Sequence, residues 1–199
     1  MSNKNIEIEF KNMITRDEFT ALMNFFNIRS EDFSEQENHY FDTPDFLLKE
    51  KGSALRIRQK NGSFELTLKQ PHPEGLLETN EDLSESEAAE MIQTGKIPRE
   101  QIKESLEELG IKTDNLQYFG TLTTKRAEKE YNKGLAVLDH SRYLNKEDFE
   151  LEFEVDNWKE GQMVFLNLLQ QLNIPVRKTE NKIKRFYNEK YRQQKANRN

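Results

Sequence analysis

The sequence predicts an α+β protein in which about eight antiparallel strands pack against amphipathic helices. Three observations support this fold class. Charged and apolar residues alternate along several segments, as they do in strands that bury one face. The dipeptide Asn61-Gly62 separates two such segments and favours a tight hairpin turn. Apolar residues recur at helical spacing in four further segments.

Two arrangements of these elements satisfy the same pattern. The strands could close into a barrel whose charged faces point inward and whose apolar faces are covered by the helices. They could equally form a two-layer α+β sandwich with an ordinary charged surface. Periodicity alone leaves both arrangements open, because each requires the same alternation along every strand.

The N-terminal part is predicted to form a strand, a helix and a second strand. Residues 4–13 alternate apolar and charged side chains and should form the first strand. Thr15 and Glu18 have the spacing of a capping box, which predicts a helix through residue 26. Residues 36–42 should form the second strand, since an Asp-Thr-Pro-Asp sequence typical of a turn begins at its end.

The central part contains the clearest strands. Residues 53–60 and 64–70 both alternate, and Asn61-Gly62 between them predicts a β-hairpin. Two prolines and a glycine after residue 70 are expected to end the second of these strands. Residues 76–82 are then predicted to form another strand.

Two helices should follow this group of strands. Ser84 and Glu87 form a second capping-box pattern, and Gly95 is a typical helix stop, so a helix is predicted over residues 84–94. Residues 98–109 begin with a proline and carry apolar side chains at helical spacing, which predicts a second helix.

The C-terminal part is predicted to contain three strands and two helices. The strands are residues 117–131, 135–139 and 149–155, with a turn at residues 132–134. The helices are residues 161–172, which are amphipathic, and residues 179–194, which are basic. The whole chain, residues 1–199, is predicted to be a single domain whose last residues, 190–199, fray.

Composition favours a folded protein and excludes several classes of function. Charged residues make up 33% of the 199 residues, yet 13 Phe and 6 Tyr can supply a core. The formal net charge is -6, which argues against bulk attraction to nucleic acid or to an anionic membrane. The chain has no Cys, so disulfides, thiolate catalysis and Cys-ligated zinc are excluded.

The same features bear on location. No apolar run approaches the length of a membrane span, and no apolar segment typical of a signal peptide follows Met1. We therefore expect a soluble, cytoplasmic protein. Neither a nucleic acid nor a membrane is expected as a partner, and the protein is expected to be a monomer or a homodimer.

Charges are collected in rows on single strand faces. These rows are Glu7, Glu9 and Lys11; Arg56, Arg58 and Lys69; and Glu150, Glu152 and Glu154. Like charges two residues apart on a strand repel, so the rows cost stability unless something neutralises them. Mg²⁺ or Mn²⁺ neutralises carboxylates, and a polyanion such as a phosphate group neutralises arginines and lysines. The rows therefore indicate a metal–phosphate site, with a solvated charged surface as the alternative interpretation.

The N-terminal sequence Glu7-Ile8-Glu9-Phe10-Lys11 resembles the ExExK signature of the CYTH family, the triphosphate tunnel metalloenzymes. Four further segments resemble family motifs in the same order: Tyr40-Phe41-Asp42-Thr43-Pro44, Leu55-Arg56-Ile57-Arg58, Leu66-Thr67-Leu68-Lys69 and Glu150-Leu151-Glu152-Phe153-Glu154. The resemblance covers nearly the whole chain. It implies an eight-stranded antiparallel β-barrel whose tunnel binds triphosphate together with Mg²⁺ or Mn²⁺.

The resemblance also implies a role for individual residues. The metal ligands would be Glu7, Glu9, Asp139, Glu150, Glu152 and Glu154. The triphosphate-binding residues would be Lys11, Arg56, Arg58, Lys69, Arg126 and Lys182. The catalytic residues would be Glu7, Glu9, Lys69 and Tyr40. Lys125 competes with Arg126 for its role, and Lys184 or Arg185 competes with Lys182, because only a lysine of the family's C-terminal motif is kept here. Glu78 could also face the tunnel, and Tyr40 could instead be structural.

The activity that the resemblance implies is metal-dependent hydrolysis of a small triphosphate compound. Inorganic triphosphate, thiamine triphosphate and nucleoside triphosphates all belong to this class. Three alternatives stay open: an adenylate cyclase of class IV type that makes cyclic AMP from ATP, a non-catalytic binder of polyphosphate or nucleotide, and an interaction domain with a charged surface. Each of these four functions predicts a different outcome with a triphosphate. The hydrolase hydrolyses it, the cyclase makes a cyclic product, the binder binds it without turnover, and the interaction domain does none of these.

Overall fold

The computed structural model describes residues 3–196. The strands are β1 (Asn3–Ile14), β2 (Ser34–Asp42), β3 (Ala54–Lys60), β4 (Ser63–His72), β5 (Gly75–Leu83), β6 (Gln117–Tyr131), β7 (Gly134–Tyr143) and β8 (Lys146–Val155). The helices are α1 (Arg16–Phe26), α2 (Leu47–Glu50), α3 (Glu85–Thr94), α4 (Glu100–Glu108), α5 (Trp158–Gln171) and α6 (Lys182–Ala196). No helix within residues 3–196 is both long enough and apolar enough to cross a membrane.

The strands form a closed antiparallel barrel. Of the two arrangements that the sequence left open, the α+β barrel is therefore confirmed, and the two-layer sandwich is not formed. The order of the strands around the barrel is β1-β5-β4-β3-β2-β6-β7-β8. The contacts divide the described chain into two compact units. The first comprises the residues up to Ile6 and Gln36–Leu122, and the second comprises Glu7–Glu35 and the residues from Thr123 onward.

The core of the first unit lies between the β3–β4 hairpin and the helices α3 and α4. Alternation places a row of apolar residues on one face of each strand. Four of these residues are 0% exposed: Leu55 and Ile57 on β3, and Leu66 and Leu68 on β4. Met91 of α3 and Leu106 of α4 are equally buried and belong to the same core. The opposite face of the hairpin is therefore left to Arg56, Arg58 and Lys69.

The core of the second unit lies between β1, β7, β8 and the helices α1 and α5. Its buried side chains include Leu22 of α1, Leu151 and Phe153 of β8, and Leu168 of α5. The aromatic ring of Phe10 on β1 stacks against Phe165 of α5 with centroids 5.8 Å apart. The apolar residues of these strands face α1 and α5. The residues that alternate with them along each strand are mostly charged, and they occupy the opposite face.

The two predicted capping boxes and the predicted hairpin turn are confirmed. The hydroxyl of Thr15 accepts from the backbone N–H of Glu18, and the Glu18 carboxylate accepts from the N–H of Thr15 in return. Ser84 and Glu87 form the same reciprocal pair at the start of α3. Asn61 and Gly62 both have positive φ, 52° and 79°, as a type I′ turn requires.

Several boundaries of strands and helices differ from the prediction by one to four residues, and those of β4, β7 and β8 are the most informative. β4 continues through Pro71 to His72. A proline is tolerated there because the pairing with β3 ends at Ala54 and Lys69, so Pro71 has no paired residue on the β3 side. β7 extends to Tyr143 and β8 begins at Lys146. The turn between them places Leu144 and Asn145 at positive φ, a conformation for which leucine carries no sequence signal.

The predicted fraying of residues 190–199 stays a prediction. Helix α6 continues to Ala196 in the described chain, and residues 197–199 lie outside the described residues. The prediction of a single domain also stays a prediction.

Gly95 is a position where a side chain cannot be accommodated. It ends α3 with φ 74°, and a Cβ there would lie 2.0 Å from the backbone oxygen of Leu116. Gly95→Ala is therefore expected to lower the free energy of unfolding by about 3 kcal/mol, from backbone strain and overpacking together. Urea denaturation measures the change.

Gly62→Ala is the matched control for this prediction. Its φ is 79°, but no atom lies within 4 Å of the added Cβ, so only the backbone strain of about 1 kcal/mol remains. Equal losses in the two variants would show that the contact with Leu116 contributes nothing.

Candidate active site

The charged face of the second unit is built by the pairing of β1, β7 and β8. Glu9 lies opposite Glu154, Lys11 opposite Glu152, and Met13 opposite Glu150. Across the other edge of β8, Asp139 of β7 lies opposite Glu150. Strand register thus places residues that are far apart in the sequence on one face at neighbouring positions.

The first cation in this face is Lys182, at the start of α6. Its ammonium Nζ lies 2.8 Å from Asp139 Oδ2, 2.5 Å from Glu152 Oε1 and 3.3 Å from Glu150 Oε2. Burial opposes the charged form of Lys182, but these three carboxylates outweigh it and raise the pKa of the ammonium. Lys182 is therefore a permanent positive charge in this cluster.

The second cation is Arg126 of β6. Its Nε and NH2 donate to the two oxygens of Asp139 at 2.8 and 2.6 Å, and NH2 also donates to Glu152 Oε2 at 2.7 Å. Burial again opposes the charge, and Asp139 and Glu152 again outweigh it, so the pKa of the guanidinium is raised well above its ordinary value. We call Arg126, Asp139, Glu150, Glu152 and Lys182 the central cluster.

The carboxylates of the central cluster differ in their protonation. Burial would raise the pKa of both Asp139 and Glu152, but Arg126 and Lys182 lower it, in Glu152 to well below its ordinary value. Glu150 has a raised pKa because burial and the charge of Glu152 outweigh the attraction of Lys182. The cluster therefore holds two fixed carboxylates and a third that takes up a proton more readily.

Glu150 also carries an oxygen that is not committed to any donor. Its side chain is 1% exposed, and Oε1 has no hydrogen-bond partner among residues 3–196. Its other oxygen, Oε2, accepts from Arg185 NH2 at 2.5 Å. A buried carboxylate oxygen without a donor is costly, and a cation is the ligand that would satisfy it.

Glu9 and Lys11 continue this face along β1. Lys11 Nζ lies 2.5 Å from Glu9 Oε1. Burial would lower the pKa of Lys11, but Glu9 and Glu152 raise it. Glu7 precedes Glu9 by two residues and lies on the same face of the strand. Glu154 of β8 lies opposite Glu9, and its Oε1 is 4.0 Å from Nη1 of Arg126.

The charged face of the first unit is mainly basic. Strand pairing places Tyr40 of β2 opposite Arg56 of β3, and Asn38 opposite Arg58. Arg58 Nε donates to Asn38 Oδ1 at 3.3 Å. Tyr40 is 4% exposed. The Nε of Arg56 is buried and has no hydrogen-bond acceptor within the described chain.

Lys69 of β4 completes this row. It forms an ion pair with Glu78, which lies opposite it on β5 and is 8% exposed. Glu78 therefore lies on the same face as Lys69. Arginines and lysines in a row, one of them with an uncommitted buried N–H, form a face suited to phosphate oxygens.

The basic residues that compete for two of the predicted roles differ in their surroundings. Lys125 is exposed on the other face of β6, whereas Arg126 lies in the central cluster. Lys184 is 49% exposed and pairs with Glu180, whereas Lys182 lies in the cluster. Arg185 faces the same strands as Lys182 and donates to Asp148 at 2.9 Å.

The sequence analysis missed Asp148 and Tyr143 as members of this face. Asp148 has the same strand parity as Glu150, so the alternation could have identified it. The Tyr143 hydroxyl donates to Asp148 Oδ2 at 2.5 Å, and burial and this hydrogen bond raise the pKa of the phenol. Tyr143 was not identified because the strand was predicted to end at residue 139, whereas β7 continues to Tyr143.

The carboxylates of the second unit fit a divalent cation in their chemistry. Their oxygens are the ligands that Mg²⁺ and Mn²⁺ prefer, and Glu150 Oε1 is available. Within residues 3–196, however, no three Asp, Glu or His side chains already form a group that could hold a metal ion. Lys182 and Arg126 both contact the Oδ2 oxygen of Asp139 instead.

Comparison with known proteins agrees with this geometry. The family model of the CYTH domain matches residues 5–187. YjbK of Bacillus subtilis (strain 168), named as a candidate triphosphatase, is 55% identical over 189 residues, which cover 94% of this chain and 97% of that protein.

Two solved structures share the fold. A Bacillus halodurans protein, described as a candidate adenylate cyclase, is 44% identical with a TM-score of 0.89, covering 92% of this chain and 98% of that one. A Hippeastrum protein, described as a candidate adenylyl cyclase with a dominant triphosphatase activity, is 21% identical with a TM-score of 0.77, covering 92% and 96%. The second likeness shows the fold alone.

Proposed function

The chain belongs to the CYTH domain family, and we propose that it is a divalent-metal-dependent hydrolase of small triphosphate compounds. Inorganic triphosphate, thiamine triphosphate and nucleoside triphosphates form the proposed substrate class. The observation that carries the proposal is the central cluster, in which three buried carboxylates are held by Arg126 and Lys182. An ordinary solvated surface does not bury ionised groups in this way.

We assign the metal to the carboxylates of the second unit. The proposed ligands are Glu7, Glu9, Asp139, Glu150, Glu152 and Glu154. The uncommitted oxygen of Glu150 supports this assignment, because it is a buried acceptor that no donor of residues 3–196 satisfies. When bound, a divalent cation withdraws charge from phosphate oxygens and so favours attack at phosphorus. The choice between Mg²⁺ and Mn²⁺ is left to experiment.

We assign phosphate binding to six basic side chains. The proposed ligands are Lys11, Arg56, Arg58, Lys69, Arg126 and Lys182. Arginine presents planar N–H donors that match phosphate oxygens, and the unsatisfied Nε of Arg56 is such a donor. These groups would stabilise the negative charge that builds on the transferred phosphoryl and leaving group.

Proton transfer is assigned to side chains that lie beside these cations. In this proposal Glu7 or Glu9 orients the attacking water and accepts its proton, since each is a carboxylate on the same strand face as Lys11. Lys69 would donate to the leaving group, and Tyr40 would donate a hydrogen bond to a phosphate oxygen. Glu78 holds Lys69 in its ion pair and would fix its orientation.

A cytoplasmic location and a monomeric or homodimeric state belong to the same proposal. The absence of Cys supports the location, because disulfides are common only in proteins that leave the cytosol.

Phosphate release from inorganic triphosphate tests the proposal. We expect release with Mg²⁺ or Mn²⁺, and we expect a chelator to abolish it. ATP is the second substrate, with cyclic AMP and phosphate measured separately. Cyclic AMP without phosphate release would favour a cyclase, and triphosphate binding without either product would favour a non-catalytic binder. If the protein neither binds nor converts triphosphate, the proposed function is wrong.

A further inference from the structure

The segment that connects α5 to α6 is fastened to β1. We call residues 175–179 of this segment the strap. The strap has no regular secondary structure, yet it makes hydrogen bonds to the side chain of Asn12 and to the backbone of Met13. The next strand residue before these is Lys11, so the strap is attached directly beside the charged face.

Asn12 provides the first attachment. It is 0% exposed and lies on the apolar face of β1, at a position between Phe10 and Ile14 where the alternation calls for an apolar residue. Its Nδ2 donates to Pro175 O at 3.0 Å, and its Oδ1 accepts from the N–H of Arg177 at 2.6 Å. A buried amide with both ends satisfied orders the chain that it binds.

Arg177 and Thr179 provide the others. The guanidinium of Arg177 donates to both oxygens of Glu18 at 2.7 and 2.8 Å, and to Met13 O at 2.9 Å. The hydroxyl of Thr179 accepts from Met13 N–H at 2.8 Å and donates to Arg177 O at 3.0 Å. These bonds attach the strap to β1 and to α1 at once.

The attachment ends three residues before Lys182, the first residue of α6. Only residues 180 and 181 separate the strap from this lysine. The position of the strap therefore limits where the ammonium group of Lys182 can reach. In the structure the ammonium reaches three carboxylates on β7 and β8, at 2.5 to 3.3 Å. Long lysine side chains are otherwise free to adopt many rotamers, and ordering one costs entropy.

We propose that the strap is a positioning device for Lys182, in which Asn12, Arg177 and Thr179 act as positioning residues. They do not touch the central cluster themselves. Their effect is to hold the start of α6 so that Lys182 is already ordered before a ligand arrives. This inference rests on the proposed function only where it assigns triphosphate binding to Lys182.

Substitutions in the strap test the proposal, because the strap residues are less buried than Asn12. Arg177→Met removes the bonds to Glu18 and Met13, and Thr179→Val removes the hydroxyl at similar volume. Thr179→Ser keeps the hydroxyl and serves as the conservative variant. Arg192→Met removes an exposed cation of α6 that pairs with Glu189, and it is the matched control.

Hydrogen exchange without any ligand is the first readout. We expect the amides of residues 184–187 to exchange at least about tenfold faster in Arg177→Met and Thr179→Val, because the first turn of α6 opens more often. Thr179→Ser and Arg192→Met should exchange as the wild-type protein does. Unchanged exchange in the first two variants would overturn the proposal, whether or not the protein hydrolyses triphosphate.

Kinetics with inorganic triphosphate are the second readout. We expect KM to rise roughly tenfold in Arg177→Met while kcat changes by less than about threefold, because binding rather than chemistry is lost. In a Lys182→Met background, Arg177→Met should have no further effect on KM, since the residue it positions is gone. Multiplicative effects in the double variant would show that the strap acts independently of Lys182. If the wild-type protein neither binds nor converts triphosphate, the proposed function fails and hydrogen exchange alone decides the positioning.

Discussion

Glu9→Gln is expected to lower kcat for metal-dependent phosphate release by about 100-fold or more. The substitution keeps the shape of the side chain but removes a charge that would hold the metal. It also leaves Lys11 without the carboxylate that lies 2.5 Å from its ammonium. Glu7→Gln removes a carboxylate from the same strand face and should also lose most of the turnover. Phosphate release with saturating Mg²⁺ or Mn²⁺ measures both.

Glu37→Gln is the matched control for these variants. Glu37 is also a strand glutamate, but it lies on the other face of β2 and its side chain is 47% exposed. We expect its turnover to equal that of the wild-type protein. Near-normal turnover in Glu9→Gln, with the fold intact by circular dichroism, would contradict the assignment of this carboxylate to the reaction.

The faces of the charged strands were predictable because strand parity is a strict rule. Once residues 4–13 are a strand, Glu7, Glu9 and Lys11 must share a face. The same rule places Glu150 and Glu152 together, and the register confirms that Lys11 and Glu152 are neighbours. The choice between barrel and sandwich was different, because alternation along a strand does not state which way the charged face points. The family resemblance was needed for that choice.

Other features depend on tertiary contacts that leave no local pattern. Near the start of α6, the resemblance assigned Lys182 and left Lys184 and Arg185 as competitors. The packing of the helix is what places the Lys182 ammonium against Asp139. Asn12 appears in the sequence as a polar residue interrupting an apolar row. Its role is explained by a distant partner: Asn12 donates to the backbone oxygen of Pro175, which lies 163 positions further along the chain. Such a contact is set by the fold and not by neighbouring residues.

The buried charges create a conflict between stability and function. Asp139 is 0% exposed and Glu152 5%, and each depends on Arg126 for compensation of its charge. Apolar residues of similar volume would often be at least as stable in such positions. Ionised groups at these positions are explained if the carboxylates have a ligand to bind. Measuring how much the charges of the central cluster cost or contribute to stability therefore tests its functional role.

Arg126→Met is accordingly expected to lower the free energy of unfolding at pH 7 by about 3–5 kcal/mol. Methionine replaces the volume of the side chain but removes the guanidinium that contacts both Asp139 and Glu152, while Lys182 stays in contact with both carboxylates. Urea denaturation measures the loss. Arg29→Met is the control: its ion pair with Glu31 is 71% and 65% exposed, so less than about 1 kcal/mol should be lost.

The pH dependence of this loss distinguishes unpaired charge from lost packing. In the wild-type protein Arg126 and Lys182 outweigh burial and lower the pKa of Asp139 and Glu152, so their contribution is present above the unfolded pKa of about 4 and is lost as the pH falls through the lower folded value. Without Arg126, only Lys182 and more distant cations oppose the effect of burial, so we expect both pKa values to rise and protonation to relieve the unpaired charge. The penalty of Arg126→Met should therefore shrink as the pH falls from 7 to 5. A penalty independent of pH would mean that packing alone is lost, and that these carboxylates do not need a cation.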